Sequence, residues 1–283
     1  EREHDPIKIK MRIHKDAYFE KAKRLLEHIH RGDVYEANFC QEFYAEEVSI
    51  DPWETYQRLN SISEPPFASF MRLEDKYLMC ASPERYLRKQ GNTLISQPIK
   101  GTARRDENRN EDEILKHQLA LDDKERAENI MITDLVRNDL SKSALKGSVM
   151  VEELCKVYTY KQVHQLISTV IAEIPADKNP VELIEETFPM GSMTGAPKIS
   201  AMKIIEELEE TKRGLYSGAV GYFDPAGNFD FNVVIRSILY NATRNYVSFS
   251  VGSAITAKSD PEREYQECLL KAKAMRSVLE TGE

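Results

Sequence analysis

A chain of 283 residues has room for one large domain or two small ones, and can bury a sizeable core. With 41% hydrophobic and 30% charged residues it reads as a soluble enzyme, and a formal charge of −8 without a separate basic block argues against a nucleic-acid partner. No stretch approaches the roughly 20 apolar residues of a membrane span, and the charged residues 1–10 do not read as a signal peptide.

In chain order, residues 16–31 read as a helix, with Ala22, Leu25, Leu26 and Ile29 on one face and Gly32 as its stop. Residues 34–44 read as a strand. Hairpin-like stretches follow at 71–79 and 86–97, the second turning at Gly91-Asn92. Residues 96–105 carry Pro98 and Gly101 and read as a basic loop leaving a strand. Asn110 with Glu113 suggests a capping box for a helix to about residue 121, and a second helix covers 124–140. Strand-like sequence runs over 149–174, a short helix over 181–187 and a loop over 188–198. The next helix runs to Lys212, ahead of Gly214. Strands are expected at 218–223, 229–239 and 246–251, the first two joined by a turn through Asp224-Pro225-Ala226-Gly227-Asn228. A closing helix begins at Pro261. Hairpins without regular βαβ alternation predict an α+β chain, read here as one domain over residues 1–283.

Several residues could carry chemistry. Glu125 and Glu128 are three apart on one helix, and Glu264 and Glu267 repeat the spacing on the last helix, with Lys271 a turn further on. Such pairs are often plain solvated faces, but two of them also suit a hard cation such as Mg²⁺. Lys100, followed by Gly101 and Thr102 in a tight segment, is either an exposed lysine or an ammonium or amine held against a substrate. The segment Gly191-Ser192-Met193-Thr194-Gly195-Ala196-Pro197-Lys198 lacks the P-loop pattern, yet a helix start can hold an anion. His164 sits in a strand-like run, where a core role competes with a catalytic one. Arg236 lies in the apolar strand 229–239, where a buried guanidinium needs an anion. Cys40, Cys80, Cys155 and Cys268 form no CxxC pair and read as reduced thiols of a cytoplasmic protein.

Taken together, ordered segments resemble the chorismate-utilising enzymes. They are Gly32-Asp33-Val34-Tyr35, Ser82-Pro83-Glu84-Arg85, Pro98-Ile99-Lys100-Gly101-Thr102, and Lys124-Glu125-Arg126-Ala127-Glu128-Asn129 continuing to Asp139-Leu140. Residues 188–198, Arg213-Gly214-Leu215-Tyr216-Ser217-Gly218, Ile235-Arg236 and Ser259-Asp260-Pro261-Glu262 through Lys271 complete the set. The resemblance implies two β-sheets packed face to face with helices outside, and an active site in the cleft between them. It implies Mg²⁺ at Glu128 and Glu267 with Glu125 and Glu264 beside them. Tyr216 and Arg236 would clamp the enolpyruvyl carboxylate. Gly101, Thr102, Gly252 and Lys271 would lie near the ring carboxylate and the metal, and His164 near the reacting ring.

Within the family, Lys100 favours the aminodeoxychorismate synthase large subunits, because anthranilate synthases usually carry Ala there. That branch uses the lysine as a covalent nucleophile and Glu84 as general acid, with ammonia from a separate glutamine amidotransferase. The alternatives are an anthranilate synthase large subunit and a non-catalytic binding subunit on the same fold. Three departures stand out. Glu36 occupies a position where isochorismate synthases have a lysine. Ala254 stands where many relatives have a second glycine. Most of the longer N-terminal region usual in relatives is absent from this sequence.

Overall fold

The computed structural model describes residues 7–161 and 163–280, so the first six residues of the charged start lie outside it. Seven α-helices occur among the described residues: α1 (Lys15–Arg31), α2 (Pro52–Ser63), α3 (Arg109–Leu121), α4 (Asp123–Ser141), α5 (Pro180–Thr187), α6 (Lys198–Leu208) and α7 (Pro261–Glu280). The chain divides into two units. One takes the sequence through Pro83, Pro197–Gly218 and everything from Val234 on; the other takes Glu84–Ala196 and Ala219–Val233.

The first unit is built on antiparallel strands in the order Lys10–Met11, Glu36–Ala45, Tyr246–Thr256, Ser237–Asn241, Lys76–Ser82 and Phe67–Leu73. Its longest pairing runs in unbroken register from Val247↔Ala45 to Thr256↔Glu36. The period-two alternation of that pair sends Phe39, Phe43, Phe249 and Val251 into one core with Tyr18 and Leu25 of α1, Leu59 of α2 and Met275 of α7. Phe43 and Phe249 stack at 5.1 Å. The intervening residues, Asn38, Cys40 and Gly252, therefore lie on the opposite face. Helix α1 ends as expected: Gly32 sits at φ 85° and donates its N–H to the last turn.

In the second unit Val163–Glu173 is the spine. Along one edge it pairs first with Thr93–Gln97 and then with Ile99–Arg104, and along the other with Met150–Thr159. The sheet continues outward through Arg85–Gln90, Phe229–Asn232 and Gly221–Phe223. Leu119 of α3 packs with Cys155 and Leu166 on one face.

Two antiparallel sheets with helices bear out the α+β expectation. Four local readings are corrected. Residues 99–104 are a strand, despite Gly101, because a register shift between Ile99 and Thr102 absorbs the glycine. Helix α3 is capped by Asn108, whose side chain accepts from the Asn110 and Glu111 N–H groups, in place of an Asn110–Glu113 box. Helix α6 stops at Leu208, because Glu209 turns extended and ion-pairs with Arg213. The predicted strand 229–239 breaks in two, with Arg236 at φ 51°, a backbone conformation that ends a ladder.

Candidate active site

In the second unit the chemistry gathers around Glu84, which is only 5% exposed. The Ser192 hydroxyl and the Ile99 N–H donate to its carboxylate, and the Lys100 charge favours the ionised form. Burial outweighs all three and pushes the carboxyl up to about 7. Glu84 can therefore hold a proton near neutrality and release it, as a general acid must.

Lys100 and Gly101 fall at the register shift of their strand. Gly101 sits at φ 96°, where a Cβ would lie 2.9 Å from Leu166 Cδ1 and 3.2 Å from Glu125 Cβ. Only glycine lets the backbone pass this close to α4. Thr102 resumes the ladder opposite Gln165. On α4, Glu125 lies against Gly101, and Lys124 Nζ is 3.7 Å from Glu128 Oε1.

Among the described residues no group of three or more His, Cys, Asp or Glu closes a metal cage. A pair of carboxylates is nevertheless the complement that Mg²⁺ asks of a protein when water and substrate supply the remaining oxygens. Glu125 and Glu128 stand three residues apart on α4 and are the carboxylates of this unit that could serve such an ion.

His164 is fully buried, with Nε2 3.0 Å from Asp112 Oδ1 and Nδ1 2.9 Å from Thr159 Oγ1. Asp112 is also clamped by Arg105 through bonds of 2.8–3.0 Å, which hold its carboxyl well below the usual range. Both ring nitrogens are thus engaged, and strand alternation puts His164 on the face away from Thr102 and Gln165. The geometry is that of the core histidine that the sequence reading weighed against a catalytic one.

The first unit holds the other candidate residues. Tyr216 is buried, 3.7 Å from Cys40 Sγ, and burial raises its phenol well above the ordinary value, so it stays a neutral donor. Arg213 fixes this corner by donating to Glu209 (2.6 and 2.9 Å) and to the Asn38 carbonyl (2.8 Å). Burial lowers the Arg236 guanidinium, against the pull of Tyr216 and Glu267, and a bound anion would oppose that shift. At Gly252 a Cβ would fall 2.4 Å from Cys40 Sγ, so no side chain fits. Its carbonyl accepts from Lys271 Nζ at 2.9 Å, and Lys271 also pairs with Glu267 at 2.5 Å. Glu264 is 3% exposed and accepts from Ser253 Oγ.

Two contributors were not among the expected site residues. Ser192 stood inside the loop motif as part of an anion site, but nothing in sequence pointed its hydroxyl at Glu84. Asn129 stood inside the α4 motif, and its spacing of four from Glu125 was the available signal.

Residues 1–277 match the family model described as chorismate binding enzyme. An anthranilate synthase component I-like protein of Synechocystis is 40% identical over 97% of this chain and 56% of its own length. Aminodeoxychorismate synthase component 1 of Escherichia coli is 39% identical over 94% of this chain and 58% of its own. The crystal structure of anthranilate synthase component I from Streptococcus pneumoniae superposes with a TM-score of 0.86 at 30% identity, over 96% of this chain and 60% of that one. The chain spans a little over half the length of these relatives. With a family model matching almost from end to end, and a glycine, a buried acid and a lysine where the sequence motifs put them, this chain belongs to the chorismate binding enzymes.

Proposed function

We propose that the chain carries the catalytic chemistry of an aminodeoxychorismate synthase, the amination of chorismate by ammonia to 4-amino-4-deoxychorismate. One observation carries the reading: a buried carboxyl poised at about 7 in the electrostatic reach of Lys100. In the proposed reaction the neutral Lys100 amine forms a bond to C2 of chorismate, and both ring double bonds shift. The C4–O bond breaks, and the hydroxyl leaves as water with the proton from Glu84. Ammonia then bonds to C4, the double bonds shift back and the C2–N bond to Lys100 breaks. The amine thus ends para to the ring carboxylate.

Glu125 and Glu128, with Glu264 and Glu267 added by the family resemblance, are the carboxylates proposed to serve Mg²⁺. When bound, the ion would neutralise the ring carboxylate and orient the ring. Tyr216 and Arg236 are proposed for the enolpyruvyl carboxylate, and Gly101, Thr102, Gly252 and Lys271 for the ring carboxylate. Ammonia would come from a separate glutamine amidotransferase; the component name of the Escherichia coli relative supports a partner component. Among the described residues no helix is long and apolar enough to cross a membrane. All four cysteines are buried thiols, which fits a reducing compartment, and we place the reaction in the cytoplasm.

The second reading, an anthranilate synthase component I, is favoured by the name of the Synechocystis relative. The test is the product of chorismate, Mg²⁺ and ammonium, resolved with and without the lyase that converts aminodeoxychorismate to 4-aminobenzoate. The proposal requires 4-aminobenzoate only when the lyase is present. Anthranilate formed without the lyase overturns it in favour of the second reading.

A further inference from the structure

The bulge at Lys100 poses an accounting problem. Between Ile99 and Thr102 the strand carries one more residue than its partner, so Lys100 and Gly101 fall at the register shift. A backbone carbonyl at such a bulge can take its donor from outside the ladder. For Lys100 that donor is the side chain of Asn129, with Nδ2 3.2 Å from the Lys100 oxygen.

Asn129 is 1% exposed, and its amide is used to capacity. The second Nδ2 hydrogen goes to the Leu166 carbonyl at 3.1 Å. Oδ1 accepts from Ser168 Oγ at 2.5 Å and from Cys155 Sγ at 3.6 Å. The Ser168 hydroxyl is itself oriented, because it accepts from the Cys155 N–H at 2.9 Å and so has its own hydrogen free for Asn129. Turning the amide over would set its oxygen against two carbonyls. One orientation is therefore dictated from both ends.

Asn129 is also the residue after Glu128 and one helical turn from Glu125. The same rigid turn of α4 that presents these carboxylates holds the backbone of Lys100. A lysine side chain has four rotatable bonds, so where its amine can reach depends first on where the chain leaves the backbone.

We propose that Asn129 is the positioning residue for Lys100, tying the nucleophile's backbone to the helix that carries the metal carboxylates. This rests on the functional reading above. It predicts that losing the tether moves the amine without weakening substrate binding, and a displacement of about 1 Å costs on the order of 10²-fold in rate.

The test uses the full chain with Asn129→Asp, which keeps the size but turns a donor into an acceptor facing two carbonyls, and with Asn129→Ala. Leu119→Ala is the stability control, since it thins the same core without touching the amide. The variants are compared by steady-state kinetics with chorismate and ammonium below their unfolding temperatures, and by backbone hydrogen exchange across residues 99–102. The expected result is a fall of about 10²-fold in kcat, KM for chorismate within about threefold, and faster exchange at 99–102 in both Asn129 variants but not in Leu119→Ala. Kinetics and exchange in the Asn129 variants no different from Leu119→Ala would overturn the proposal. Should the wild-type chain make no aminodeoxychorismate, the functional reading fails, and exchange at 99–102 still decides whether Asn129 holds the Lys100 backbone.

Discussion

Replacing Glu84 by glutamine should favour the folded protein increasingly as pH rises from about 5 to about 8. The ordinary glutamate value is 4.5, and burial in the fold raises Glu84 to about 7. Below pH 4.5 the carboxyl is protonated in both the folded and the unfolded chain and costs nothing. Between pH 4.5 and 7 the unfolded chain releases the proton while the folded one keeps it, so stability falls as pH rises. Above pH 7 the loss levels off. At 1.36 kcal/mol for each pH unit, the gap between 4.5 and about 7 amounts to about 3 kcal/mol. Of this, about 2.5 kcal/mol falls between pH 5 and pH 8. Glu84→Gln removes the titration, and its different fit against Ser192 and Ile99 adds an offset that does not vary with pH. Urea unfolding of both proteins at pH 5, 6, 7 and 8, without substrate or metal, gives the difference curve. It should widen by about 2.5 kcal/mol in favour of the variant as pH rises, while aminodeoxychorismate synthesis falls by about 10²-fold or more. A difference that stays level within about 0.5 kcal/mol would show Glu84 to be an ordinary carboxylate and remove the main support for its role as acid.

Other residues give sharper single readouts. Lys100→Ala should lower aminodeoxychorismate formation by at least about 10³-fold while the affinity for chorismate, measured by calorimetry, changes little; full activity would end the covalent role. Gly101→Ala forces a side chain onto a backbone at φ 96° and against Leu166. A loss of about 1–3 kcal/mol in stability is expected from chemical unfolding, together with a loss of rate. Activity should vanish on treatment with EDTA and return with Mg²⁺, and Glu128→Gln should raise the Mg²⁺ concentration for half-maximal rate by at least about tenfold.

Sequence and structure agree where local physics decides and part where tertiary contacts do. Helix α1 was legible because its apolar positions recur every three or four residues and Gly32 can take positive φ. The antiparallel pair 36–45 with 246–256 was legible in part from alternation. Its extension from Val251 to Thr256 was not, because Ser253 takes a core-facing place in the alternation and Gly252 weakens strand propensity. Arg236 was placed inside a strand because Val233, Val234 and Ile235 favour one; the break at φ 51° is imposed by tertiary structure, and no propensity announces it. At the candidate site the residue types were readable and the distances were not. The Lys100-Gly101-Thr102 motif looked like a loop because glycine and proline normally interrupt strands. A bulge that uses the glycine for close approach to α4 leaves the same trace. His164 shows the limit from the other side, since nothing in its neighbours revealed that Asp112, 52 residues away in sequence, would take its second nitrogen.

The pairing of Glu84 with Lys100 raises a question of protons that one further variant can settle. The proposed reaction needs Glu84 protonated and Lys100 neutral, whereas the two groups in water would form the ion pair. Both arrangements hold the same number of protons, so pH cannot convert one into the other, and the environment sets the balance. Burial favours the neutral arrangement; the donors to the carboxylate, Ser192 and the Ile99 N–H, favour the charged one. Ser192→Ala removes a stabiliser of the charged form and leaves the burial of Glu84 in place. Where the neutral arrangement prevails, the alkaline limb of kcat/KM reports loss of the acid's proton and should move to higher pH in this variant; where the charged one prevails, the limb stays and the plateau rises. In the first case, removing a hydrogen bond from a catalytic acid would thus widen the active range on its alkaline side. A profile measured at constant free ammonia decides the matter. A limb that stays in place together with a plateau of kcat/KM that does not rise would mean that Glu84 does not supply the proton that leaves with the hydroxyl.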